Sequence, residues 1–319
     1  MKSKLDHLLY RLKYRYGKWL PLEVPVDISL ELSSRCNMAC SYCYHSKDNE
    51  PNLPFKKGMM DRLLAIGIIQ EAAVLGVHSL KFNYRGESTV HPHFKEITGA
   101  AKKLAGGRVF IDRITNSNFK FRSDREDIFE GLCNQTKVKV SYDSFSKAVF
   151  ESQRKGGDHA LTTRNIDLFY NHALRKNTEL VLQAVRTSLN RHEDIEGEVK
   201  KRWPSATLSI REVVDGRKQQ SIGDLANKHR DFSNRQSCLQ AHVRLIITHE
   251  GKCIPCCPDI KEDLVLGDVR FESLRKIFSG PIAKQLRKDL ISKKAFEKSP
   301  CSTCPAHESY KGYRPAWTS

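Results

Sequence analysis

The run Ser34-Arg35-Cys36-Asn37-Met38-Ala39-Cys40-Ser41-Tyr42-Cys43 sets three thiols in C-x3-C-x2-C spacing, with no fourth cysteine nearby. Three thiolates hold three irons of a 4Fe-4S cube and leave the fourth iron open. An open metal position serves chemistry, whereas a closed four-ligand site serves structure. The alternative is a zinc site completed by His45 or by a distant cysteine, although zinc ligand pairs usually come as C-x2-C or C-x4-C twice over. Just upstream, Val26, Ile28, Leu30 and Leu32 alternate with Asp27, Ser29 and Glu31. That period of two is the pattern of a strand, so the cysteine loop follows a first strand.

From this point strand and helix patterns alternate. Helices are expected over 57–75 (stopping at Gly76), 94–104, 124–133, 161–175 and 195–203. Strands are expected over 79–84, 108–115, 137–142, 179–188 and 206–213. Six βα units in series imply a parallel sheet with right-handed crossovers. They are too few for an eight-unit barrel and fit an α/β fold with a curled, partial (β/α)6 barrel. Such folds place chemistry on loops after the C-terminal strand ends, where the cysteine loop lies.

Three segments are expected. Residues 1–24 form a basic N-terminal helix, 25–216 the barrel, and 217–319 a linker and a second, smaller domain. The boundary follows from the polar, turn-rich stretch 217–235. In the first segment Leu5, Leu8, Leu9 and Leu12 share one helical stripe with Lys4, Arg11, Lys13 and Arg15 around it. The expectation is that the leucines pack on the barrel and the charges face water, the alternative being contact with a membrane or nucleic acid.

The chain has 319 residues and is 39% hydrophobic, ordinary values for a globular protein. No apolar run reaches the length of a membrane span, and residues 1–20 lack the apolar core of a signal peptide. Ten cysteines in that context point to metal ligands over disulfides and to the cytoplasm. The net charge of +17 favours an anionic partner such as nucleic acid or an anionic membrane surface; a solvated basic surface is the alternative.

The region from 238 onward adds Cys238, Cys253, Cys256, Cys257, Cys301 and Cys304. Four of these thiolates can close a second cluster or a zinc ribbon. Cys133 ends a helix and reads as structural.

The first cysteine motif resembles the signature of the radical S-adenosylmethionine superfamily, in which an aromatic residue such as Tyr42 precedes the third cysteine. Tyr84-Arg85-Gly86-Glu87-Ser88 resembles that family's Gly-Gly-Glu-Pro motif, with Arg85 in place of the first glycine and Ser88 in place of the proline. Thr115-Asn116-Ser117 resembles its Thr-Asn-Gly, and Ser141-Tyr142-Asp143 its Ser-x-Asp. The order of the later cysteines resembles the SPASM/Twitch extension. The resemblance implies S-adenosyl-L-methionine as cofactor and two 4Fe-4S clusters. Cys36, Cys40 and Cys43 would hold one; Cys238, Cys256, Cys301 and Cys304 would hold the auxiliary one. Cys253 and Cys257 are then spare. Tyr42, Gly86, Glu87, Asn116, Ser141 and Arg154 become cofactor contacts, and Asn190 fills a further polar strand end. It also implies an external one-electron reductant of flavodoxin or ferredoxin type. The charge directs the substrate expectation to a nucleic-acid base or a group attached to it. A peptide or a small molecule such as an amino sugar is the alternative, and a non-catalytic zinc-bearing nucleic-acid-binding module a third class.

Overall fold

The computed structural model describes residues 2–45, 53–105, 112–212, 214–215, 228–229 and 238–304. Most of the 217–235 boundary therefore lies outside the described residues.

The chain runs α1 (Lys2–Tyr16), β1 (Asp27–Leu30), α2 (Arg62–Val74), β2 (Ser79–Lys81), α3 (Phe94–Ala105), β3 (Asp112–Ser117), α4 (Glu126–Cys133) and β4 (Lys137–Ser141). It continues with α5 (Lys147–Gln153), α6 (His159–Lys176), β5 (Glu179–Arg186), α7 (Ile195–Arg202), β6 (Thr207–Glu212), β7 (Val214–Asp215) and β8 (Lys228–His229). The last part holds α8 (Gln240–Val243), β9 (Arg244–Ile247), β10 (Lys252–Ile254), β11 (Gly267–Asp268), α9 (Leu274–Ser279) and α10 (Pro281–Ile291).

The sheet order is β11-β10-β9-β1-β2-β3-β4-β5-β6. Strands β1 to β6 pair in sequence and in parallel, as the six-unit expectation requires. The sheet does not end at β1. Strand β9 pairs with it in parallel, Asp27 beside Arg244 and Leu30 beside Ile247, and β10 and β11 extend the edge antiparallel. The C-terminal segment thus continues the barrel sheet.

Alternation divides the two faces. On β4, Val138 and Val140 are fully buried in the main apolar core, alongside Leu80, Leu180, Leu182 and the helix residues Ala65, Ile68, Ile69 and Ile166. The opposite face is polar: Ser29, Glu31, Lys81, Asn116, Lys139, Ser141 and Gln183 occupy it. A sheet with an apolar helix side and a polar inner side is what a partial barrel with a ligand-binding interior needs.

Local signals set the element ends. Helix α2 begins five residues later than expected, because the Asp61 side chain accepts from Leu64 N and caps it. Gly76, at φ +71, then turns the chain into β2. Helix α5, which no periodicity marked, is a seven-residue element capped by Ser146.

The N-terminal helix corrects one expectation. Leu5, Leu8, Leu9 and Leu12 are 42–55% exposed. Tyr10 is buried instead, packed with Val26 and Val243 and stacked on His78. The tyrosine face is the one that meets complementary partners: Tyr10 fills the space between Val26 and Val243, and its ring contacts Tyr14 and His78. The leucine stripe is left on the outside. Among the described residues no helix is long and apolar enough to cross a membrane.

Candidate metal centre

The loop after β1 is held from three sides. Ala39 N donates to Lys155 O (2.8 Å) and Ser41 N to Gln153 O (2.8 Å), which pins the loop to the end of α5. Asn37 Nδ2 donates to Lys120 O (2.6 Å), and Lys120 Nζ donates back to Asn37 O (2.8 Å). Cys43 N closes a turn onto Cys40 O (2.9 Å). Burial, then the Glu87 charge and the neighbouring thiols, pushes the Cys36 thiol up to about 12. Burial raises Cys40 to about 11 although Arg154 opposes it. The Arg154 Nη1 stands 3.7 Å from Cys40 Sγ. Thiols of this kind give up protons only when a metal takes their place.

Gly86 and Glu87 lie against this loop. A Cβ on residue 86 would come within 2.4 Å of the Arg35 and Ser33 carbonyl oxygens, so only glycine lets the two backbones meet. Glu87 N donates to Arg35 O (2.9 Å). The Glu87 carboxylate accepts from Thr89 N (3.1 Å), Thr89 Oγ1 (2.7 Å) and Asn118 N (2.7 Å). Burial outweighs these bonds and raises its pKa. A buried carboxylate held by neutral groups is set for a cation.

Arg85, where the family pattern has glycine, is buried and forks onto Glu31 at 2.7 and 2.6 Å. Its other nitrogen reaches Glu262 Oε1 (2.9 Å) in the C-terminal segment. Burial alone would raise Glu31, but the bonds from Arg85 and His249 outweigh it and hold the carboxyl below its usual range. His45, the alternative zinc ligand, donates from Nε2 to Arg85 O at 3.1 Å.

Tyr42 bonds Asp143 through its hydroxyl, and Arg154 pairs with the same carboxylate at 2.9 Å. Arg154 is thus internal, not a solvated surface arginine: its guanidinium lies over the Tyr42 ring at 5.5 Å. Asn190 Nδ2 holds Asp143 O (2.8 Å). Ser141 and Asn116 are half-buried on the inner face of the sheet. Two residues beyond Asn116 stands Asn118, which sequence reasoning did not single out. Its Nδ2 bonds Asn37 Oδ1 (2.6 Å) and lies 4.0 Å from Cys36 Sγ. The amide in Asn-Ser-Asn was a visible signal; which of the two turns toward the cysteines depends on how β3 ends.

In the second set, the charges of Cys238, Cys257 and Cys304 all bear on Cys256, whose thiol is raised by burial first and by them next. Cys238 and Cys301 both pack against the cluster of Ala241, Leu290 and Ala295. Cys257 is exposed, with Sγ 3.9 Å from Gln240 Oε1. Cys253 points into the main core and is fully buried. Cys133 is also buried there. Tyr84 Oη donates to Asp259 O (2.7 Å), so the Gly86–Glu87 loop and the second cysteine set share one seam. Among the described residues no three His, Cys, Asp or Glu side chains close to the spacing of a single-ion site. A four-iron cube takes its thiolates at separate corners and asks for a wider frame.

Residues 238–305 match the SPASM family, an iron-sulfur cluster-binding domain. Over these residues the chain is similar to that domain. The fold as a whole is shared with several solved structures. BtrN, solved in complex with AdoMet and 2-DOIA, is 17% identical, with a TM-score of 0.56 over 88% of this chain and 93% of that one. SuiB of Streptococcus suis, bound to the precursor peptide SuiA, is 13% identical, with a TM-score of 0.65 over 83% and 67%. The protein anSMEcpe with bound AdoMet is 17% identical, with a TM-score of 0.63 over 88% and 84%. No curated protein sequence matches the chain. The SPASM domain contributes β9 to the barrel sheet and Glu262 to Arg85, so it is joined to the candidate site by both backbone and side chain.

Proposed function

We propose that the protein is a radical enzyme that cleaves S-adenosyl-L-methionine reductively and removes a hydrogen atom from its substrate. The observation that carries this reading is Glu87: a buried carboxylate with neutral partners, next to the first cysteine set and backed by the glycine that lets it approach. The residues fit the cofactor. Cys36, Cys40 and Cys43 would hold a 4Fe-4S cluster, and Glu87 would take the ammonium of the methionine part. Asn118 would lend an amide near the Cys36 sulfur, while Arg154 offsets negative charge at Cys40. When bound, cluster and cofactor supply a 5'-deoxyadenosyl radical. Cys238, Cys256, Cys301 and Cys304 would hold the auxiliary cluster, with Cys257 beside them. Electrons come from an external one-electron reductant of flavodoxin or ferredoxin type.

The substrate we infer carries an anionic group, such as a nucleotide or a nucleic-acid base on its phosphate backbone. Lys139 lies on the inner face of the sheet between the outward-facing Val138 and Val140. Burial, then Lys81, Arg211 and Lys137, lowers it to about 8. Glu179 is already paired with Lys137 at 2.9 Å, and Asp27 with Lys81 and Arg244. Asp112 also faces Lys137 and Lys81, but the cations Lys81, Lys137, Lys139, Arg211 and Arg244 outnumber the carboxylates Asp27, Asp112 and Glu179, which favours an anion. Near the cysteine loop, Lys57 and Lys155 line a cavity of about 510 Å3 together with one carboxylate, Glu151. The second reading is a peptide or small molecule, supported by the peptides and 2-DOIA bound in the solved structures of similar fold.

The test is anaerobic reconstitution with iron and sulfide, then incubation with S-adenosylmethionine and dithionite. The expected product is 5'-deoxyadenosine, absent from a Cys36→Ala, Cys40→Ala, Cys43→Ala variant. A protein that binds zinc and no sulfide would overturn the reading. For the substrate, titrations with single-stranded and duplex DNA and RNA at two salt concentrations should show binding that weakens with salt. No binding at low salt would transfer the assignment to a peptide or small molecule.

A further inference from the structure

The stripe left outside α1 has a definite shape. Leu5, Leu8, Leu9, Leu12 and Tyr16 are 55, 52, 43, 42 and 44% exposed. At 3.6 residues per turn they fall within an arc of about 100°. Trp19, 71% exposed, and Leu20, 41% exposed, continue the apolar surface past the end of the helix. Arg11 and Arg15 flank the arc on one side and Lys13 on the other. Lys18 follows, its ammonium 4.4 Å from the centre of the Trp19 ring. The helix's opposite face is fixed to the body of the protein by Tyr10, packed with Val26 and Val243.

We propose that this face docks the enzyme on an anionic membrane surface, with the leucines and Trp19 in the headgroup–acyl boundary and the cations against lipid phosphates. An apolar stripe bordered by cations is the pattern of a helix lying in the plane of a bilayer interface. Tryptophan and tyrosine at one end suit the same boundary. The net charge of +17 adds long-range attraction to the same kind of surface.

Two other occupants fit this face less well. In a second copy of the chain, the Arg11–Arg15 and Lys13 borders would meet rows of the same sign, and α1 carries only Asp6 to oppose them. A nucleic acid would satisfy the cations and leave the leucines in water. The inference stands apart from the proposed reaction, since it uses no residue of either cysteine set.

The test uses the reconstituted full chain and vesicles of phosphatidylcholine alone or mixed with phosphatidylglycerol. Co-sedimentation with the mixed vesicles, weakened by salt, is expected, together with a blue shift of tryptophan emission that Trp19→Phe removes. Leu8→Glu with Leu12→Glu should lower the partitioning about tenfold or more. Because both leucines are exposed, the variant should keep wild-type unfolding and 5'-deoxyadenosine formation. Should it fail to fold, Leu8→Ser with Leu12→Ser serves the same purpose. Equal binding by the leucine variants would overturn the proposal, and so would no binding to anionic vesicles at low salt. A concentration-dependent dimer that the leucine variants abolish, with no vesicle binding, would overturn it in favour of self-association.

Discussion

A methyl group at residue 86 has no room: the Arg35 and Ser33 carbonyl oxygens lie 2.4 Å from where it would sit. Gly86→Ala should therefore push the Glu87 loop off the cysteine loop and weaken S-adenosylmethionine binding while the SPASM domain still takes up its cluster. Equilibrium binding to the iron-loaded protein measures this. Glu87→Gln acts more narrowly, since it removes the charge and keeps the shape. Losing a charged acceptor for an ammonium costs about 1.5–3 kcal/mol, roughly a ten- to hundredfold weaker affinity. Affinity equal to wild type would reduce Arg85-Gly86-Glu87 to a turn. The sequence pointed to these two residues only through the resemblance of Arg85-Gly86-Glu87 to a family motif after the second strand, since an Arg-Gly-Glu by itself is usually a surface turn. It did not disclose Asn118 or the Tyr42–Asp143–Arg154 group, since each depends on where a strand end delivers its side chain relative to a distant loop.

Strands β1 and β9 are joined by more than their ladder. Asp27, fully buried, takes Lys81 from β2 and Arg244 from β9. Burial would raise Asp27, yet the two cations prevail and lower its pKa. A depressed folded pKa contributes stability that is present above the ordinary carboxylate value and lost as pH falls through the folded one. Asp27→Asn removes the buried charge that Lys81 and Arg244 share and should cost about 3–5 kcal/mol, read from denaturant unfolding. A second acid sensitivity sits on α8. His242 is buried near Arg287 and Lys18, and burial followed by these cations lowers it from 6.5 to about 4. The folded state keeps the ring neutral while the unfolded chain protonates it. Stability should therefore fall by roughly 2–3 kcal/mol as pH drops from about 6.5 to about 4. His242→Gln should flatten that part of the profile, and an unchanged slope would discard this cause. The helices and strands themselves were largely readable, because their periods and caps are local. The pairing of 27–30 with 244–247 was not, since no local pattern records a partner so distant in sequence. The N-terminal helix misled for a related reason: its leucine stripe is the stronger pattern, but Tyr10 found Val26, Val243 and His78.

At the scale of the molecule, the continuous sheet makes the SPASM domain part of the barrel's own stability. Strand β9 lies between β1 and β10, and Arg85 joins Glu31 of the barrel to Glu262 of the SPASM domain. Two clusters should then load about eight irons per chain, and the Cys36, Cys40, Cys43 triple alanine variant about four. Binding of metal to the folded state alone is itself folding free energy, so each cluster raises the stability of whatever unfolds with it. In a molecule of two independent halves, removing the proposed auxiliary ligands Cys256, Cys301 and Cys304 would give one early transition for the SPASM domain and one unchanged transition for the barrel. A shared sheet predicts otherwise. The variant should unfold in a single transition, shifted as a whole to lower denaturant, because losing β9 exposes the buried edge of β1 and leaves Glu31 and Asp27 short of His249 and Arg244. Circular dichroism and tryptophan fluorescence should report the same midpoint, with Trp203 buried in the barrel as the internal probe. Two separated midpoints would show that the halves are only tethered.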